Sequence, residues 1–133
     1  MLALSDEEFV RSFEDCTLPN EQFHHADHIR LTWILLRSGD VEAAGNRIAS
    51  AIVRFATHNG SPGKYHETVT RAWLRLVEAA IELTPSAGSF EEFATAHPEL
   101  LDKGLLLRYY SAGALQGEQA REGWVEPDLS PLP

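Results

Sequence analysis

Three histidines and an aspartate stand within five residues, His24-His25-Ala26-Asp27-His28, and a second cluster, Tyr65-His66-Glu67-Thr68, follows later in the chain. Each cluster opens an apolar run, the first of them Ile29-Arg30-Leu31-Thr32-Trp33-Ile34-Leu35-Leu36. Imidazole that begins an amphipathic helix and faces inward needs a partner, and the usual partners are a hydrogen bond, a substrate or a metal. Three imidazoles suit zinc, copper, nickel or iron, and an open fourth position lets the metal activate water or a substrate. Two histidines with Asp27 or Glu67 would instead make a facial triad for iron(II) or manganese.

Helical geometry gives these residues directions. At about 100° per residue, His25 and His28 lie about 60° apart, inside the arc of Leu31, Thr32, Leu35 and Leu36. Ala26, Arg30 and Arg37 form the opposite arc, with His24 at the edge and Asp27 on the flank. On the later helix His66 heads the stripe Thr70-Trp73-Val77-Ala80, and Glu67 sits at its edge. His25, His28 and His66 are therefore the candidate metal ligands, for a divalent transition metal (zinc, copper, iron or nickel). Glu67 and Tyr65 are the candidate catalytic groups, and Arg30, Trp73 and Tyr109 the candidate substrate contacts. Asp27, Glu67, Thr32 and Thr70 are placed to hold the outer ring nitrogens. Convergence of the three imidazoles requires the two helices to be neighbours, which spacing does not fix.

The elements that position these groups follow from periodicity and punctuation. Ser5-Asp6-Glu7-Glu8 has capping-box spacing and predicts a first helix to about Cys16. Leu18-Pro19-Asn20 turns the chain into a second helix, from Phe23 or His24 to Arg37, which Ser38-Gly39-Asp40 stops. Val41, Ala44, Ile48, Ile52 and Phe55 mark a third helix ending before His58-Asn59-Gly60. A fourth spans Tyr65 to about Leu83. Ser89-Phe90-Glu91-Glu92 starts a short fifth that Pro98 interrupts, and the leucines from Glu99 to Tyr110 predict a sixth despite Gly104. Asp128-Leu129-Ser130-Pro131-Leu132-Pro133 cannot sustain a helix. No segment alternates with period two. The expected fold is all-α, one compact helical domain over 1–133, a bundle of five or six helices with an extended C-terminal tail. The Trp124 to Leu129 stretch is expected to pack over that bundle. His58 and His97 look like helix-end residues.

Composition narrows the partners. A formal charge of −9 argues against a nucleic-acid surface, which needs a basic stripe. No apolar run is long enough to span a bilayer. Met1-Leu2-Ala3-Leu4 runs straight into Ser5-Asp6-Glu7-Glu8 without a basic leader, and a single cysteine, Cys16, fits a reducing compartment, so the expected location is the cytoplasm. Cys16 itself reads as a small apolar residue near a helix end.

Leu18-Pro19, Phe23-His24-His25-Ala26-Asp27-His28-Ile29-Arg30, Tyr65-His66-Glu67-Thr68-Val69-Thr70 with Trp73, and the ending Trp124-Val125-Glu126-Pro127-Asp128-Leu129 with Pro131-Leu132-Pro133 together resemble a family of small bacterial helical proteins. That family has an H-x-x-H-[IL]-R pattern leading one helix, a Y-H-E-T-x-T pattern leading another, and no established activity. The resemblance implies that His25, His28 and His66 are the residues to test, and that His24 stands where the family carries threonine. Three readings stay open: a small metal-dependent enzyme acting on a small molecule, with Glu67 as base; a non-enzymatic metal- or small-molecule-binding helical module; and a metal-free acid–base enzyme using His66 and Glu67. The oligomeric state is not legible.

Overall fold

The computed structural model describes residues 4–133; Met1-Leu2-Ala3, read above as no part of a leader, lies outside them. The fold is all-α: seven α-helices and four short 3₁₀ helices, with no strand among the described residues. The chain divides into two compact units, Met1–Tyr65 and His66–Pro133, and the boundary falls inside the Tyr65-His66 cluster. No described helix is long and apolar enough to cross a membrane.

The first unit holds helices α1 (Asp6–Glu14), α2 (His25–Arg37) and α3 (Val41–His58). The Ser5 capping box forms as its spacing requires: the Glu8 N–H donates to Ser5 Oγ at 3.1 Å and the Ser5 N–H to Glu8 Oε1 at 3.0 Å. Helix α1 ends two residues short of the expected Cys16, because Cys16 takes the left-handed conformation at φ 64°. The Thr17 and Leu18 amides then both turn back to the Ser12 carbonyl. Gly39, at φ 151°, makes the reversal out of α2, and Asp40 caps α3 by accepting from the Ala43 N–H at 2.9 Å. The three helices pack on one another. Phe13, Phe23 and Phe55 meet in an aromatic knot, with ring centres 4.6 to 5.3 Å apart.

The second unit is built on α4 (Glu67–Leu83), with α5 (Phe90–Ala96), α6 (Ala112–Gln116) and α7 (Glu118–Glu122). The expected stripe Thr70-Trp73-Val77-Ala80 is buried, and so is a second series, Thr68-Ala72-Leu76, so α4 is enclosed on two faces. The single helix expected from Glu99 to Tyr110 is instead two 3₁₀ segments, Pro98–Leu101 and Lys103–Arg108. Asp102 causes the break: its Oδ1 accepts from the Gly104 N–H at 2.8 Å, a local bond that competes with the helical ladder, and Gly104 adds no helix propensity. His97, buried between α5 and Pro98, has its Nε2 2.9 Å from Thr84 Oγ1 and so ties that corner to the end of α4.

The weakly patterned stretch after Ser111 folds as α6 and α7 because local caps supply what periodicity does not. Ser111 Oγ accepts from the Ala114 N–H, and the Asp128 carboxylate in turn takes the Ser111 N–H and hydroxyl at 2.8 and 2.6 Å. That bonding holds the Asp128 carboxyl below its usual range. From Gly123 onward the tail is non-helical, as expected, and it is pinned to its own unit rather than trailing.

Candidate functional site

The first histidine cluster sits at the head of α2. His24 is the N-cap, and its N–H donates to Asp27 Oδ2 at 2.9 Å, so Asp27 closes the helix end instead of buttressing an imidazole. His25, the first residue of α2, and His28, a turn further on, stand edge to face with ring centres 6.3 Å apart, and Phe23 flanks His28 at 6.4 Å. Thr32, expected to support a ring nitrogen, donates to the His28 backbone carbonyl at 2.9 Å.

His28 is the anomaly of this unit. The residue keeps some exposed surface, yet its Nε2 is buried and has no hydrogen-bond partner among the described residues. An unsatisfied buried polar atom costs about 1–3 kcal/mol. Burial, and secondarily the neighbouring His25, push the His28 imidazolium down to a pKa of about 4. The ring is therefore neutral at physiological pH, the state in which imidazole binds metal. Among the described residues, no group of three or more His, Cys, Asp or Glu side chains is placed to hold a metal ion, so this unit offers a pair of imidazoles.

The second cluster sits at the head of α4 in the other unit. His66 is the N-cap: its Nδ1 accepts from the Val69 N–H at 3.1 Å, and its Nε2 lies 2.7 Å from the Leu115 carbonyl. An accepting Nδ1 requires the proton on Nε2, which then donates to Leu115. Both ring nitrogens are engaged, and ligation or proton transfer by His66 would require breaking one of these bonds. Glu67 pairs with Arg71, Oε2 to Nε 3.0 Å, within the same helix turn. Thr70 donates to the His66 carbonyl at 2.8 Å and not to an imidazole.

The candidate substrate contacts are dispersed. Arg30 is a staple between α2 and the chain entering α1: its Nη2 donates to the Leu4 carbonyl at 2.8 Å and to Asp6 at 3.0 Å, and its guanidinium lies 4.5 Å over the Phe9 ring. Trp73 is 2% exposed, a core residue and not a pocket wall. Tyr109 is half-buried, and its backbone carbonyl accepts from the Leu129 N–H at 2.9 Å. Tyr65 is half-buried, in the turn after the 3₁₀ segment Pro62–Lys64 that ends the first unit.

Two residues carry more of the second unit than sequence reasoning assigned them. Thr68, fully buried, donates to the Gly123 carbonyl at 2.7 Å and accepts from the Val125 N–H at 3.1 Å. Tyr110, also fully buried, donates to the Val125 carbonyl at 2.7 Å. Burial, with Glu126 nearby, pushes the Tyr110 phenol up to about 12, so it remains a donor. Together they clamp both sides of Trp124. The signal was present in the Thr68-Ala72-Leu76 spacing, which puts a hydroxyl on a second apolar face.

A cavity of about 510 Å³ in the first unit, between α1, the C-terminal half of α2 and Arg47 of α3, has no histidine in its lining. Comparison with family models, curated proteins and solved structures finds no match for this chain.

Proposed function

We propose that the chain is a metal-dependent protein acting on a small molecule, and that His25 and His28 are the protein ligands of a divalent transition metal. The observation that carries this is the buried, unpartnered Nε2 of His28 beside a second imidazole one helical turn away. Leaving such an atom unpaired costs about 1–3 kcal/mol, a cost that a bound ion would offset. A neutral ring in an apolar aromatic surround is a good nitrogen ligand, and two protein ligands leave positions open for water or substrate. In that role the metal would polarise a bound carbonyl or activate water, with the ring of Phe23 restricting solvent on the His28 side. His66 caps α4 and bonds Leu115, and Glu67 pairs with Arg71, so we favour the His25–His28 pair over a metal-free His66–Glu67 couple.

Elemental mass spectrometry on tag-free protein, as purified and after reconstitution with zinc, copper, iron or nickel, tests the proposal. Near-stoichiometric metal is expected in the unsubstituted chain and in His66→Asn, and loss of it in His25→Ala and His28→Ala. Absence of metal under every condition, or retention in His28→Ala, would sink it and leave the pair as core histidines.

A further inference from the structure

A second binding feature lies on α4 in the other unit, independent of the histidine pair. Glu67, Arg71, Leu74, Arg75 and Trp124 line an open cleft of about 300 Å³, at the small end of ligand-sized cavities. Arg71 is balanced by Glu67 at 3.0 Å. Arg75 is exposed and forms no ion pair among the described residues, in a chain whose net charge of −9 supplies acids in excess. Its guanidinium lies 5.7 Å from the centre of the Trp124 ring, near the outer limit of cation–π attraction. Arg75 is thus a fork of donors held loosely beside an aromatic face.

That face is fixed in advance. Thr68 holds the carbonyl before Trp124 and the amide after it, Tyr110 holds the Val125 carbonyl, and the indole N–H donates to Glu126 at 3.0 Å. Tyr110 also packs edge-on against the indole at 6.4 Å. An aromatic wall already immobilised on binding costs little further ordering, which favours even a small ligand. Buried Leu74 adds apolar surface to the cleft. The lining sums to one net positive charge, from Arg71 and Arg75 against Glu67, against the sign of the chain as a whole.

We propose that this cleft binds a small aromatic carboxylate, its ring against Trp124 and Leu74 and its carboxylate in the Arg75 fork. Charge complementarity selects the anion, because a guanidinium binds carboxylate bidentately, and the indole selects the ring.

The Trp124 indole N–H resonance in a ¹⁵N-correlated NMR spectrum reads the site directly. Titration with benzoate should give a saturable shift, and Arg75→Gln should weaken apparent binding about tenfold while leaving the remaining spectrum in place. Acetate and benzylamine, which carry the charge without the ring or the ring with the opposite charge, should not shift Trp124 at the same concentrations. A benzoate titration that leaves Trp124 unmoved would overturn the proposal, as would equal binding by Arg75→Gln or equal shifts from either control.

Discussion

Replacing His28 with leucine removes the one unpartnered buried ring nitrogen among the described residues while keeping similar bulk on α2. Two consequences follow for the metal-free chain. At pH 7 the variant gains about 1–3 kcal/mol, because a buried polar atom without a partner is replaced by one that needs none. The second consequence is a pH dependence with a definite sign. The His28 imidazolium is held near pKa 4 in the folded chain against an ordinary 6.5. The unfolded chain therefore takes up a proton that the folded chain refuses between these values. The stability that His28's neutrality confers is complete above about pH 6.5 and is lost as pH falls toward 4. Integrating over one group with these two values, the loss between pH 7 and pH 5 is about 2 kcal/mol, an upper figure because the residue keeps some exposed surface. Urea unfolding followed by circular dichroism at pH 7, 6 and 5, with chelator, measures both effects. Acid should destabilise the unsubstituted chain by up to that amount more than His28→Leu, since every other titrating group is common to the two. Parallel pH profiles, or a variant less stable at pH 7, would refute the account of His28 as a desolvated, unsatisfied imidazole.

Other outcomes are as specific. Thr68→Val leaves the Gly123 carbonyl and Val125 amide without their partner and should cost about 2 kcal/mol, with the Val125 amide exchanging hydrogen faster than those of α4. His66→Ala removes the α4 cap and the bond to Leu115 and should lower stability by about 1–2 kcal/mol, whereas His66→Asn, which can still cap, should recover part of the loss in thermal melts. Arg30→Met keeps the packing on Phe9 but loses the bonds to Leu4 and Asp6, and denaturant titration should find less than about 1 kcal/mol, as for an exposed pair.

The helices were legible wherever two signals agreed. Ser5 with Glu8, and Ser89 at the start of α5, name their caps in the sequence, and the 3.6-residue spacing of α3 and α4 leaves little choice of face. Prediction failed where a local side-chain bond outcompeted composition. The leucines of residues 99–110 favour a helix, but Asp102 takes the Gly104 amide and the chain tightens into 3₁₀ turns. The same competition explains the site. Asp27, His66, Thr32 and Thr70 have types that suit ligation, and the side chain of each bonds a backbone group within the first turns of its helix. A wheel diagram shows which way a histidine points but not whether a neighbouring amide has already claimed its nitrogen. His28 stands apart because its Nε2 is left over after all such local bonds are made. Trp73, aligned correctly on the inward stripe, is inward enough to be core. Tyr110 rather than Tyr109 proved to be the buried phenol, a choice that two adjacent tyrosines do not reveal.

Pulsed electron paramagnetic resonance on copper(II)-loaded protein tests the central claim most directly, because nitrogen couplings count the imidazoles on the ion. Two coupled imidazoles are expected in the unsubstituted chain and in His66→Asn, and no imidazole-coupled copper in His28→Ala or His25→Ala. A count that is the same in His28→Ala as in the unsubstituted chain would contradict the assignment of His28 as a metal ligand.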